Sequence, residues 1–216
     1  MPMKSLIAAL ALTFSIPLST SPAQAQETKS VGWREAQVLI DGTGVPQLFE
    51  NLSDESEMKV RHRSSGLVCT YVPGAALNSL MVFPSSLPSG DDVGCNTDMG
   101  PIQATYYATR YGAGYSARDS ARDAAAGIRN RWPDARPYEG ASATVSPPEG
   151  VGETAFGAFL VGQGDRTQYT HVVTAKVGEW IFKQRMTGTA ETDAVMGNQI
   201  MAGVFWNSVL GAAVKQ

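Results

Sequence analysis

The sequence predicts an α+β fold: a largely antiparallel sheet with two main helices packed on it, in a single domain. Three observations carry this. Residues 58–72 hold two alternating polar–apolar segments joined by Ser64-Ser65-Gly66, the pattern of a β-hairpin with a three-residue connection. Residues 168–186 hold two more, joined tightly at Val177-Gly178. Two further stretches, Ser116 to Trp132 and Thr192 to Leu210, space their apolar residues as helices do.

The elements follow in order. Residues 26–57 read as an N-terminal extension of turns and polar residues, in which Ala36 to Ile40 is expected as a strand. After the hairpin, Leu80 to Phe83 is a short strand stopped by Pro84. Pro84 to Pro101, punctuated by Pro88, Gly90, Gly94 and Gly100, is expected as a loop. Ile102 to Thr109 is a strand rich in β-formers. Ser116 then caps a helix, with Asp119 placed at its positive end and Ala117, Ala121, Ala124, Ala125, Ile128 and Trp132 as its inward face. Ala141 to Ser146 and Thr154 to Val161 are the next expected strands. The closing helix should face the core with Val195, Ile200, Met201, Val204, Phe205, Val209 and Leu210. Gly197 and Gly203 weaken it by about 1 kcal/mol each against alanine. Residues 58–216 are read as one α/β domain, since the part ahead of Pro101 has too few apolar residues to stand alone.

The N-terminus has the order of an export signal. Lys4 lies ahead of an apolar run from Leu6 to Leu18, and Ala23-Gln24-Ala25 forms an A-x-A cleavage site. The run is about 13 residues, short of the roughly 20 that span a bilayer. Removing the 25 residues through Ala25 from the 216 leaves 191, enough for one domain, with 16 basic against 20 acidic residues once Lys4 is gone. A mildly acidic chain has no global attraction to nucleic acid or anionic lipid. No later segment is long enough for a membrane span.

Only two cysteines exist, Cys69 and Cys95. In an oxidising compartment the expected arrangement is one bridge, here tying an irregular segment to the hairpin. It would contribute about 3.5 kcal/mol by closing a loop of about 27 residues. Two buried free thiols are an alternative. A redox pair or a zinc site is another, but neither C-x-x-C nor paired metal spacing occurs.

Chemistry-bearing motifs are few. Gly112-Ala113-Gly114-Tyr115-Ser116-Ala117 fits the G-x-G-x-x-A dinucleotide fingerprint and opens a helix. The preceding strand is too polar for a central parallel one, so a glycine loop entering a helix is expected. A second match at Gly150–Ala155 leads into a strand, not a helix. Asp91, Asp92 and Asp98 lack the alternate spacing of a calcium loop and read as solvated turn residues. No G-x-S-x-G elbow occurs, and any Ser-His-Asp arrangement must use His62 or His171. Each shares its strand face with apolar neighbours, as packing histidines do. Lys59, Arg61 and Arg63 point to one strand face and form a candidate grip for an anionic partner, or a solvated face balanced by nearby acids.

Two segments, Arg61–Cys69 and Gly90–Cys95, resemble a group of exported proteins of unknown function from Gram-negative bacteria, in which cysteine-bearing segments recur around a short strand. From about Ile102 the order of elements is similar to the Mog1/PsbP-like α/β fold, whose members bind partners or serve as assembly accessories. The resemblance implies a binding role and transfers no catalytic residue, cofactor or metal. With no catalytic motif and a disulfide-tied fold, the expected function is a periplasmic, non-enzymatic domain that binds a protein partner or envelope component. The alternative is a hydrolase whose site assembles around His171.

N-terminal sequencing of protein recovered from the periplasm is expected to begin at Gln26. Recovered protein that still carries Met1 to Ala25 would defeat this.

Overall fold

Ser30 opens the first helix by accepting a hydrogen bond from the Trp33 amide on its side chain (3.1 Å), and α1 (Val31–Gly42) follows. The computed structural model describes residues 29–84, 90–143 and 145–215, so the expected export signal at 1–25 lies outside the described residues. Ala36 to Ile40 is thus helical, not the expected strand. The β-branched residues there suggested a strand, but Gly32, Ala36 and Ile40 recur every four residues and are all buried. Helical spacing lets that stripe pack on one neighbouring sheet.

A 3-10 turn at Pro46–Leu48 leads into β1 (Phe49–Asn51), which pairs with β2 (Met58–His62), and β2 with β3 (Val68–Tyr71). The expected hairpin is present, as the middle and one edge of a three-stranded antiparallel sheet. Residues 31–51 belong to this unit, and Ala36, Ile40 and Phe49 join its core. The second sheet has seven strands: β4 (Ser79–Val82), β5 (Asp92–Asp98), β6 (Gln103–Arg110), β7 (Arg136–Pro137), β8 (Thr154–Val161), β9 (Gln168–Val177) and β10 (Trp180–Thr189). Its order is β4-β5-β6-β10-β9-β8-β7, and every pairing is antiparallel. With α2 (Ala117–Arg131) and α3 (Thr192–Val214) the fold is α+β, as expected.

Three expectations need correction. Residues 92–98 are β5, paired on both sides, rather than loop. Glycine, aspartate and asparagine hide a regular alternation in which Val93, Cys95 and Thr97 are buried. Gly94 is required there, because a Cβ would come 2.8 Å from the Tyr106 carbonyl and 3.1 Å from the Tyr107 ring. The described residues of 141–146 form no strand; β7 lies earlier, at the edge beside β8. In α3 the buried positions are Val195, Gln199, Ala202, Trp206, Val209, Leu210 and Ala213, while Ile200, Met201 and Val204 are exposed. The helix is apolar nearly all round, so apolarity alone could not say which stripe faces inward.

The faces of the large sheet are covered differently. On one, α3 packs on β9 and β10 while the small sheet and α1 pack nearer β4 and β5. On the other, α2 covers β8, β9 and β10, with Ile128 against Phe159 and Val161. A capping box starts α2, Ser116 and Asp119 bonding each other's amides, and Glu153 Oε2 accepts from the Ala117 amide at 3.0 Å. Buried Thr174 donates to the Ala117 carbonyl (2.7 Å), docking the helix on β9.

Cys69 and Cys95 are bonded to each other, with Cα atoms 6.3 Å apart. The bridge links β3 to β5 and so staples one sheet to the other, rather than holding a loose segment to the hairpin. Both cysteines are buried in the main core. Reduction, or Cys95→Ser, is expected to lower stability by about 2–4 kcal/mol. Hydrogen exchange should report the first loss of protection in β1–β3 and α1. First opening at α2 would contradict this assignment.

Candidate functional site

The strand-face cations come first. Lys59 and Arg61 do share the outward face of β2, since Met58, Val60 and His62 alternate with them and are buried, while Arg63 follows in the turn just after the strand. Lys59 pairs with Glu57, Arg61 with Glu50, and Arg63 with Glu50 at 3.5 Å while donating to the Phe49 carbonyl at 3.1 Å. Glu50 lies directly opposite Arg61 in the ladder. Each cation is already engaged by a neighbouring carboxylate, and none lines a described cavity.

His62 is buried between the sheets, its ring 5.4 Å from Phe49 and 5.7 Å from Trp180. Its Nδ1 accepts from the Ser65 amide (3.3 Å) and lies 2.8 Å from Ser65 Oγ, which in turn accepts from the Leu67 amide (3.1 Å). The imidazole therefore organises the hairpin turn. The glycine loop at 112–117 leads into α2, whose first amides are taken by Ser116 and Glu153. It follows β6, an antiparallel strand, so the geometry of a dinucleotide crossover is absent. Asp91 lies 3.7 Å from Arg110, and Asp92 accepts from Thr109 at 2.8 Å. Among the described residues no group of three or more His, Cys, Asp or Glu side chains could hold a metal.

His171 has different surroundings. Between α3 and the β8–β9–β10 part of the sheet lies a cavity of about 350 Å3. Strand alternation puts Phe156, His171, Val173 and Gln184 on its floor, and Gln199, Ala202, Gly203 and Trp206 form the helix wall. The third wall is formed by Ala143 and by Val145, Ser146 and Pro147. These residues hang on α3: the Ala143 amide donates to Gln199 Oε1 (2.6 Å) and Asn207 Nδ2 donates to the Ser146 carbonyl (2.7 Å). Gly203 makes the approach feasible, because a Cβ there would collide with the Val145 side chain.

The polar groups on these walls are largely spoken for. Gln199 Nε2 donates to Tyr169 Oη (2.7 Å), and Gln184 Nε2 donates to the Ala202 carbonyl (3.1 Å) and Tyr106 Oη (3.3 Å). Two atoms are left over, His171 Nδ1 and Gln184 Oε1, both buried with no hydrogen-bond partner. Burial pushes the His171 imidazole down to about 4, and Gln184 beside it opposes part of that effect. The ring packs among Phe156 (5.7 Å) and Tyr169 (5.6 Å). No carboxylate lines the cavity. A neutral imidazole is present, but no acid stands behind it as in a Ser-His-Asp triad.

Of these residues the sequence pointed only to His171. Gln184 and Gln199 escaped notice, although a signal existed. Gln184 interrupts the inward series Phe182, Gln184, Met186, and Gln199 sits in the inward helical series Val195, Gln199, Ala202, Trp206. A glutamine at a core-facing position must find buried partners, which marks such positions for attention.

No protein-family model matches the chain, and no curated protein is significantly similar to it.

Burial also pushes His62 down to about 4, with nearby Arg110 adding to the effect. Both histidines are thus neutral in the fold until about pH 4, whereas in the unfolded chain they protonate from 6.5 downward. Below that value the unfolded state binds more protons, so stability is full above about pH 6.5 and falls as pH drops toward 4. The loss should be roughly 3 kcal/mol per histidine. Denaturant unfolding at intervals between pH 7 and pH 4 checks this, and His171→Gln should remove about half of the slope. A flat profile would show that neither ring is held neutral.

Proposed function

We propose that the protein is a non-enzymatic periplasmic binding module, exported by cleavage after Ala25. We place its ligand, an envelope component or partner group with an apolar body and one polar group, in the cavity under α3. The supporting observation is the cavity's composition. Its walls are mostly apolar, a few polar side chains converge on it, and its volume of about 350 Å3 lies in the usual range for small-molecule sites. Phe156 and Val145 line it and are also exposed, as residues at a mouth are. His171 and Gln184 line its floor as polar groups, each with a buried atom that lacks a partner. The disulfide accords with an oxidising compartment, and a binding role accords with the Mog1/PsbP-like order of elements.

An uncharged fluorescent probe, N-phenyl-1-naphthylamine, tests the reading, with Trp206 as a local energy donor. Saturable binding is expected. Val173→Phe, which places a ring in the cavity, should weaken it at least about tenfold, the equivalent of 1.4 kcal/mol. Absence of saturable binding, or equal binding by a folded Val173→Phe variant, would sink the proposal.

A further inference from the structure

The opposite face of the large sheet holds a second cavity, of about 320 Å3, between α2 and strands β6, β9 and β10. Lys183 and Arg185 stand two residues apart on β10 and both line it, on the face away from α3. Lys183 is partly buried, and its ammonium lies 4.2 Å from the centre of the Tyr107 ring. Neither cation forms an ion pair or side-chain hydrogen bond with any described residue. The contrast with Lys59, Arg61 and Arg63, all of them paired, is sharp.

Buried cations are ordinarily paired, because removal from water is costly and an attached anion offsets it. The nearby carboxylates Asp92 and Asp123 attract Lys183 but form no ion pair or hydrogen bond with it. Asp92 accepts from Thr109 (2.8 Å), and Asp123 accepts from Tyr115 Oη (2.7 Å) and lies 3.7 Å from Arg122. Each acid has its donors, while the two cations lack acceptors. Burial lowers the Lys183 ammonium's pKa, with repulsion from Arg185 adding to the effect and attraction from Asp92 and Asp123 opposing it. The remaining walls are three tyrosines and the flank of α2, which brings Ser120, Asp123 and Ile128 to the cavity. Tyr111 stacks on Tyr115 with ring centres 4.0 Å apart, and the Tyr107 ring comes within 3.1 Å of where a Cβ on Gly94 would stand.

We propose that this cavity is a binding site for a small oxyanion on a flat body, a carboxylate or phosphate carried by an aromatic ring. Its charge sits between Lys183 and Arg185, where charge-assisted hydrogen bonds replace the missing acceptors. Its ring lies among Tyr107, Tyr111 and Tyr115. The site is separate from the cavity under α3 and independent of the function proposed for it.

Phenyl phosphate and benzoate are the probes, with benzyl alcohol as the uncharged control, followed by amide chemical-shift titration of the disulfide-bonded protein. At least one anion should give saturable shifts centred on residues 107, 183 and 185, weakening as salt rises. Lys183→Met should reduce that affinity at least about tenfold, since one charge-assisted hydrogen bond is worth about that much. Arg185→Gln should reduce it also. The Lys183→Met variant should melt at or above the wild-type temperature, because it removes a partly buried charge that forms no ion pair or hydrogen bond. No saturable shift with either anion, or equal binding of benzyl alcohol, would overturn the proposal. So would undiminished affinity in the double variant, or a clear loss of stability in Lys183→Met, which would mean the charge is satisfied within the protein.

Discussion

A seven-stranded sheet exposes two apolar faces, and the described residues supply three helices and a small second sheet with which to cover them. Every other feature depends on how that coverage is distributed. The most demanding join is between the two sheets, where β3 meets β5 and Cys69 is bonded to Cys95. The bond acts where packing is dense, among residues of the main core. It keeps the small sheet, with α1 on it, over the β4–β5 end. The other end of that face is left to α3.

Helix docking relies on buried polar groups as well as on apolar contact. Gln184 reaches the Ala202 carbonyl of α3 from the centre of the sheet, and Gln199 answers from the helix by reaching Tyr169. Thr174 does the same for α2 through the Ala117 carbonyl. Such bonds fix the helix's position along the strand more narrowly than oil-like contact does, since a buried donor that misses its acceptor is costly. They also hold α3 to one register on the sheet, and the space beside it remains unfilled. Ala143, bonded to Gln199, and the Val145–Pro147 strap, held through Ser146 by Asn207, roof that space.

Both candidate sites lie where coverage runs out. Under α3, the floor keeps His171 and Gln184 inside with atoms unpartnered. On the far face α2 covers the β8–β10 side, and beside it the sheet presents Tyr107, Lys183 and Arg185. The two differ in chemistry because the faces differ. One is continuous with the apolar core, and the other alternates tyrosine with long cations. The single groups of greatest sequence interest, the β2 cations, turn out to be bound up with Glu50 and Glu57.

Elements governed by local rules were legible from sequence: the β2–β3 and β9–β10 hairpins and the Ser116 capping box depend on neighbours a few residues away. The cysteine pairing followed from count and compartment, although its place in the fold did not. What tertiary structure alone decided involves partners far along the chain. Residues 92–98 became a central strand because β4 and β6 supply hydrogen bonds on both sides, despite a composition suited to turns. Residues 36–40 became helix because a four-residue stripe met a sheet. An almost uniformly apolar α3 took its orientation from Gln184 and Tyr169, residues that bond to it across the core. Local sequence specifies which conformations are cheap; which surfaces meet, and so where cavities and unpaired charges remain, is settled by packing between distant segments.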